Sequence, residues 1–252
     1  MPTATDGPQD LVIVAAHAAL RGELRDAPEF AERDEAWVLE PYQAGETPFY
    51  LEHMRRGAVL AAHNPQALLV FSGGRTRRAA GTWSEASSYR RIAERAGWWL
   101  PAERHELRAE LGRRSATEEF ARDSCENLLF SLCRFQQIAG RYPRHVTVVS
   151  WAFKAERFDL HRSDLRIPAS RFRFVGQGEP FDLAGAERGE SAALRAFRLD
   201  PYGRGPELGA KRARRSPFSL EHPYRSCPGL SEFFRCLDGG VAEFTGALPW
   251  ED

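Results

Sequence analysis

The sequence contains no long apolar stretch. Its apolar runs, such as residues 11–16, have the length of a β-strand, whereas a membrane-spanning helix needs about 20 predominantly apolar residues. No apolar segment follows a basic region near the N-terminus, as it would in a secretory signal peptide. We therefore expect neither a membrane partner nor an export signal, and we expect residues 1–9 to form a polar, disordered leader.

The sequence also lacks an excess of charge of either sign. Its 35 basic and 35 acidic residues cancel, which gives no overall attraction to nucleic acid. The basic cluster 211–215 is a local exception, typical of a solvated patch or of structural ion pairs, with a polyanion site as the alternative. The few cysteines lack CxxC spacing, which argues against a zinc site and predicts reduced thiols in a cytoplasmic protein: Cys125, Cys133, Cys227 and Cys236.

Three common functional motifs are absent. The chain has no GxGxxG, so it lacks the standard dinucleotide fingerprint, and no GxxxxGK[ST], so it lacks a P-loop. It also has no GxSxG, the turn that exposes the reactive serine of α/β-hydrolases. The sequence thus argues against an activated-serine hydrolase of that kind.

What is present is an alternation of short apolar runs with helical patterns. Strands are predicted at 11–16, 67–71, 145–150 and 171–175, and helices at 47–63, 82–97, 125–139 and 153–161. Such alternation predicts an α/β fold with a mostly parallel sheet. We expect one domain over residues 10–176, with one short helix within 98–116. Residues 177–252 lack the alternation and are expected to form a C-terminal extension on the same domain, with helices near 190–197 and 230–237.

The stretch 67–86 is predicted to be a strand, a Ser72-Gly73-Gly74-Arg75 turn and the start of a helix. Backbone N–H groups freed at such a turn suit an anion, and Arg75 would add a charged hydrogen bond, whereas Arg77 is either solvated or a ligand contact. Ser84 and Glu85 open the helix. Glu85 is either a capping residue, three positions after Thr82, or a functional carboxylate.

Polar side chains follow the other predicted strands as well. Ser150, Lys154 and Arg157 come directly after the strand 145–150, and we expect them to close the anion site from its other side. His161 follows on the same helix face and is a marginal candidate. His17, after the first strand, is either an acid or base or a structural histidine.

A third polar cluster precedes the helix 125–139. Glu119, Asp123 and Glu126 are candidates for a general base, for Mg²⁺ ligands or for groups that bind ribose hydroxyls. Asp123 is alternatively the N-cap of the helix. The neighbouring polar residues are predicted ligand contacts or helix-start bonds: Arg122, Ser124 and Asn127.

These clusters together resemble the YdcF-like family, which contains SanA and ElyC. The matching positions are Ser72-Gly73-Gly74, Ser84-Glu85-Ala86, Glu119 with Ser124-Cys125-Glu126-Asn127, and Ser150 with Phe153, Lys154 and Arg157. The segments FARDS, GRYP and the tail PY-x-x-CP are most similar to a cytosolic branch found mainly in fungi. Phe153 stands where many bacterial members carry His.

The resemblance implies a Rossmann-like α/β/α sandwich and an adenosine-type ligand such as S-adenosylmethionine, and it brings no established reaction. We therefore expect a transferase or hydrolase that acts on an anionic, phosphorylated or nucleoside-containing small molecule, with His17, Glu119 and Asp123 as catalytic candidates. The alternatives are a ligand-binding sensor without catalysis and a partner-docking module formed by the tail.

Overall fold

The computed structural model describes residues 7–22, 28–239 and 243–251. Most of the expected leader lies outside these residues. Gln9, however, is buried, and its backbone hydrogen-bonds to the backbone of Gln66 and Arg144. The expected end of the leader at residue 9 is therefore corrected, because packed structure already includes Gln9.

The strands are β1 (Asp10–Ala15), β2 (Ala19–Leu20), β3 (Trp37–Val38), β4 (Ala67–Ser72), β5 (Ser115–Glu118), β6 (His145–Ser150) and β7 (Phe172–Gly176). β2 and β3 form a short antiparallel ribbon. The other strands form one sheet in the order β5-β4-β1-β6-β7, in which every neighbouring pair is parallel. This is the 3-2-1-4-5 order of Rossmann-like sheets, and the order reverses between β1 and β6.

The helices are α1 (Thr47–His63), α2 (Glu85–Arg95), α3 (His105–Arg113), α4 (Ser124–Ala139), α5 (Ala155–Asp164), α6 (Leu183–Leu199), α7 (Pro206–Arg214) and α8 (Ser231–Asp238). Successive side chains of β1 point to opposite faces of the sheet. Val12 and Val14 pack with α1 and α2, whereas Leu11 and Ile13 pack with α4. The expected three-layer α/β/α sandwich is confirmed.

Four elements were missed by the sequence analysis, and two of them are the strands β2 and β3 of the short ribbon. The region 98–116, expected to hold one short helix, contains α3 and then the edge strand β5. Residues 211–214 of the basic cluster form the end of α7, a helix that was not predicted, and Arg215 is its C-cap. No helix in the described part of the chain has the length and apolar character needed to cross a bilayer.

The C-terminal extension shares a core with the sheet. Phe233 and Trp250 belong to the same cluster of buried side chains as Ile13 and Val148, and the Trp250 indole N–H donates to the carbonyl of Leu165 at 2.6 Å. The extension therefore covers the α4 and α5 side of the domain.

The N-cap of α2 differs from expectation. Ser84, not Thr82, is the N-cap of α2, and Ser87 completes its capping box, so that Glu85 is not a capping residue. Asp123 is the N-cap of α4 and accepts from the amide of Glu126 at 3.0 Å, as predicted.

The Gly73-Gly74 turn joins β4 to the segment between β5 and α4. The Gly73 amide donates to the carbonyl of Glu118 at 3.0 Å, and the Gly74 amide donates to the carbonyl of Ala121 at 2.7 Å. A Cβ atom on Gly74 would lie 2.7 Å from that same carbonyl oxygen. Glycine is required here because two backbone segments approach closely.

We expect Gly74→Ala to destabilise the fold by about 1–3 kcal/mol, since the added methyl group collides with backbone that cannot move aside. Gly112→Ala on α3 is the matched control, because its added Cβ makes only ordinary contacts, the nearest at 3.9 Å, and should be neutral or slightly stabilising. Urea unfolding measures both. Equal unfolding midpoints for Gly74→Ala and the wild type would contradict this account of the turn.

Candidate functional site

A cavity of about 650 Å³ opens at the carboxyl ends of β1 and β6. This is the place where the strand order reverses, and open α/β sheets bind their ligands at such points. His17 follows β1 at this edge, and Ser150 ends β6. The topology therefore delivers the chain after each of these strands to one cavity.

Most of the predicted site residues line this cavity, and some do not. The predicted residues in its wall are His17, Glu85, Arg122, Asp123, Ser124, Asn127, Ser150, Lys154 and Arg157. Those outside it are Ser72, Gly73, Gly74, Arg75, Ser84, Glu119, Glu126 and His161. Wall residues that sequence reasoning did not assign to the site include Tyr42, Glu46, Phe181, Glu190, Lys211 and Arg215.

The predicted anion-binding turn is wrong. The amides of Gly73 and Gly74 already donate to backbone carbonyls, and the buried Ser72 hydroxyl donates to Glu118 Oε2 at 2.7 Å. Arg75 lies outside the cavity wall, whereas Arg77 lines it and forms an ion pair with Glu40. The Ser72-Gly73-Gly74-Arg75 turn is therefore a structural junction outside the cavity wall.

Basic side chains dominate two walls of the cavity. Lys154 and Arg157 come from the segment after β6, and Lys211 and Arg215 come from α7 and its end. Arg157 pairs with Glu190 at 2.8 Å. Within the described residues, neither lysine forms an ion pair with a carboxylate. Their positive charge is thus available to a ligand.

Burial and neighbouring cations change the acidity of both lysines. Burial lowers the pKa of Lys154 to about 7, with Arg157 contributing further, and burial together with Arg215 lowers the pKa of Lys211. A bound anion would oppose the part of each shift that comes from the neighbouring arginines.

His17 lies against Lys154. The Lys154 ammonium contacts Nδ1 of His17 at 3.4 Å, and the ring packs against Tyr50, His53 and Trp151. Burial lowers the pKa of His17 well below 6.5, and the charge of Lys154 lowers it further. The ring is therefore neutral near pH 7. When Nδ1 accepts from Lys154, the ring proton is on Nε2.

Asp123 does not have the free carboxylate that a proton carrier needs. Burial alone would raise its pKa, but the Arg212 guanidinium, 2.5 Å away, and the amide of Glu126 hold the pKa well below its usual range. It caps α4 and anchors Arg212. The prediction of Asp123 as a catalytic acid or base is corrected on this ground.

The other predicted carboxylates are also committed elsewhere. Glu126 accepts two hydrogen bonds from the Arg122 side chain and one from the Arg122 amide. Glu119 lies outside the cavity wall and accepts from the Thr117 hydroxyl at 2.8 Å, so its predicted catalytic role is corrected. No cluster of three His, Cys, Asp or Glu in the described ranges is arranged to hold a metal ion. Because Asp123 and Glu126 are paired with arginines and Glu119 lies outside the wall, these acids do not form the magnesium site that was one of their alternatives.

Glu85 and the neighbouring Glu118 are buried carboxyls. Glu85 lines the cavity, accepts from the Thr76 hydroxyl, and has its pKa raised by burial. Glu118 lies behind the wall, where it accepts from Ser72 and from the amide of Phe120. Burial raises the pKa of Glu118 to about 7.

Two hydroxyl-bearing residues complete the wall. Ser150 is fully buried, and its Oγ has no hydrogen-bond partner in the described part of the protein. Ser124, the first residue of α4, forms a hydrogen bond of 2.8 Å between its Oγ and Nε2 of His161 on α5. Lys154, Arg157 and His161 were predicted to share one helical face. Lys154 and Arg157 line the cavity, whereas His161 is fully buried in the interior.

Removing Arg212 should cost about 3–5 kcal/mol of stability, because Asp123 would remain buried with an uncompensated charge, whereas Glu126 keeps its ion pair with Arg122. Arg212→Met tests this by urea unfolding, with Arg214→Met on the exposed side of the same helix as control, where we expect a change within about 0.5 kcal/mol. Similar unfolding midpoints for the two variants would show that the buried pair does not hold α7 in place.

No protein-family model matches the chain, and no solved structure matches it. The chain is similar to a protein of Saccharomyces cerevisiae described as "Uncharacterized protein YOR238W", with 26% identity over 263 residues. The match covers 85% of this chain and 86% of the yeast protein. The similarity thus extends over most of both chains, and the yeast protein's description states no activity.

Proposed function

We propose that this chain is a cytoplasmic YdcF-like protein that binds a phosphorylated, nucleoside-type small molecule in the cavity between β1 and β6. The observation that carries the proposal is the pair Lys154 and Lys211: both line the cavity, and neither has a carboxylate partner in the described residues. Unpaired cations in a concave, partly apolar site at a topological switch point are suited to an anionic ligand.

Other features of the wall support a bound ligand. Polar atoms in it are buried without a hydrogen-bond partner among the described residues, including His17 Nε2, Ser150 Oγ and Arg157 Nε. Burying such atoms unpaired costs about 1–3 kcal/mol each. Native proteins accept such costs mainly at functional sites.

The charge of the wall favours a phosphate over S-adenosylmethionine. The basic side chains in it are Arg77, Arg122, Lys154, Arg157, Lys211 and Arg215. Glu46, Glu85, Asp182 and Glu190 also line the cavity, so the preference depends on the two lysines that have no carboxylate partner in the described residues. S-adenosylmethionine carries a sulfonium and an ammonium besides its carboxylate, so it offers Lys154 and Lys211 only a single negative charge. A phosphate group presents only negative charge and several acceptor oxygens to the same lysines and arginines.

The mouth of the cavity favours an aromatic group on the ligand. Tyr42 and Phe181 both line it, although their side chains are 71% and 78% exposed to solvent. Phe181 leans against Phe49 with the ring centroids 5.9 Å apart. Exposed rings at the mouth of a binding site suit stacking with a nucleobase. A nucleotide would place its base here and its phosphate between the lysines.

His17 and Lys154 supply the groups for proton transfer in a transferase or hydrolase. The pKa of Lys154 near 7 lets it exchange a proton at physiological pH, and the neutral His17 ring is a hydrogen-bond partner for a reacting oxygen. Binding without turnover is the alternative function of the same cavity. A cytoplasmic location is consistent with the cysteines, which are all free.

A thermal-shift screen tests the binding proposal. Inorganic phosphate, ribose 5-phosphate, adenosine monophosphate and S-adenosylmethionine are compared, each with and without Mg²⁺. We expect adenosine monophosphate to stabilise the protein most, by about 2.7 kcal/mol at a hundred times its Kd. Lys154→Met with Lys211→Met should abolish the stabilisation, whereas Arg214→Met, which removes an exposed charge outside the cavity wall, should retain it. Stabilisation that survives in the double lysine variant would refute the assigned site.

Anion binding should weaken as pH rises through neutrality. The groups around Lys154 are His17, Glu46, Arg157, Glu190 and Arg215, and the lysine pKa in the free protein is about 7. Only the protonated lysine attracts an anion, so affinity is greatest below that pKa and falls above it. Inorganic sulfate is the probe, because a phosphate has its own pKa near about 6 and titrates in the same range.

Titration calorimetry between about pH 6 and about pH 9 should therefore show the Kd for sulfate rising, by up to about tenfold per pH unit for one proton. Lys154→Arg should remove most of this dependence because an arginine stays charged. A Kd that is constant over this range in the wild type would contradict the assignment of Lys154.

A further inference from the structure

Ser124 in the wall of the cavity forms a hydrogen bond with His161, which is fully buried behind it. Ser124 Oγ lies 2.8 Å from His161 Nε2, and Ser124 is among the residues that line the cavity. This is the distance at which a histidine takes a proton from a serine nucleophile. The two residues are 37 positions apart in sequence and are brought together by the packing of α4 on α5.

The surroundings of Ser124 suit an anionic reacting group. Ser124 is the first residue of α4, a 16-residue helix whose N-terminal dipole favours negative charge. Arg157, Lys211 and Arg215 line the same cavity. The chain thus places a nucleophile, its base and several cations within one site, although no GxSxG turn is present.

His161 is held in a fixed orientation by aromatic rings. The edge of the ring meets Phe197 with centroids 4.5 Å apart, and Phe158 packs at 6.1 Å. Within the described residues its Nδ1 has no hydrogen-bond partner. When the ring proton is on Nδ1, Nε2 is the acceptor for the Ser124 hydroxyl.

We propose that Ser124 is the nucleophile of a phosphoryl-transfer reaction on the bound ligand, with His161 as its general base. The inference rests on the proposed binding of a phosphorylated ligand. Ser124 Oγ bonds to phosphorus as the bond to the leaving oxygen breaks, and the serine proton passes to His161 Nε2 and then to the leaving oxygen.

The phosphoserine is then hydrolysed. Water gives a proton to His161 as it attacks phosphorus, inorganic phosphate leaves, and Ser124 Oγ takes the proton back. The reaction consumes one phosphate monoester and one water, and it yields an alcohol and phosphate.

The proton transfer from Ser124 to His161 depends on whether a phosphorylated ligand is bound. Burial lowers the pKa of His161 to about 3, and Arg157 contributes to the shift. Arg212 lowers it as well, while the carboxylate of Asp123 opposes the shift, so an imidazolium is unfavourable in the free protein mainly because it is buried. The negative charge of a bound phosphoryl group opposes that effect, so proton transfer to His161 becomes easier when the substrate is present.

Acetyl phosphate, a small activated phosphoryl donor, tests the reactivity of Ser124 without knowledge of the natural substrate. The protein is mixed with it and quenched in acid at short times, before the phosphoserine is hydrolysed, and peptide mass spectrometry locates any gain of one phosphoryl group, about 80 Da. Ser163 is the internal control, since it is exposed on α5 only two residues after His161. We expect Ser124 to be modified at least about a hundred times faster than Ser163, a factor typical of general-base assistance.

Two variants assign the role of each partner. Ser124→Ala should lose the modification, and His161→Gln should lower the rate at Ser124 to that of Ser163. Circular dichroism checks that both variants fold. If His161→Gln does not fold, the ratio of Ser124 to Ser163 modification in the wild type remains decisive. Equal rates at these serines, or an unchanged rate in His161→Gln, would overturn the proposal.

Sulfate binding distinguishes failure of the proposed reaction from failure of the proposed binding site. Sulfate binding without modification of Ser124 would overturn the Ser124–His161 reaction and leave the binding site in place. Absence of sulfate binding would remove both.

Discussion

The buried ion pair between Asp123 and Arg212 is the interaction on which the cavity depends. Asp123 caps α4 in the sheet domain, and Arg212 belongs to α7 in the C-terminal extension. Because Lys211 and Arg215 flank Arg212 on that helix and its end, the pair fixes their approach to the cavity. A buried pair of this kind contributes little net stability relative to apolar side chains. Its effect is to fix the position of α7 and so complete the basic wall.

The alternation of apolar runs and helical patterns was sufficient to predict an α/β fold with a mostly parallel sheet, whereas the three-layer α/β/α sandwich was expected from the family resemblance. The alternation located the β1 and β6 ends, and with them His17, Ser150, Lys154 and Arg157 in the cavity wall. Strand β5 was missed because it is only four residues long and carries polar residues.

The failures at the site have long-range causes. Gly73 and Gly74 look like an anion loop locally, but the carbonyls of Glu118 and Ala121, more than forty positions away, accept their N–H groups. Lys211 and Arg215 read as surface charge, because nothing in their local sequence reveals that Arg212 is buried. No spacing rule connects Ser124 with His161 either, since packing of two helices joins them.

Several basic groups in and behind the cavity wall share lowered pKa values, with burial as the main cause and neighbouring cations as the second. Burial and neighbouring positive charge lower the pKa values of His17, Lys154 and His161 together. A phosphate bound between Lys154 and Lys211 would reverse part of each shift, so binding and proton transfer are linked through one electrostatic effect.

A crystal structure of the protein soaked with tungstate, a heavy phosphate analogue, tests the central claim most directly. The account predicts an anomalous peak in the cavity, within hydrogen-bonding distance of the side-chain nitrogens of Lys154 and Lys211. Peaks confined to other surfaces at saturating tungstate would contradict the assignment of this cavity as an anion-binding site.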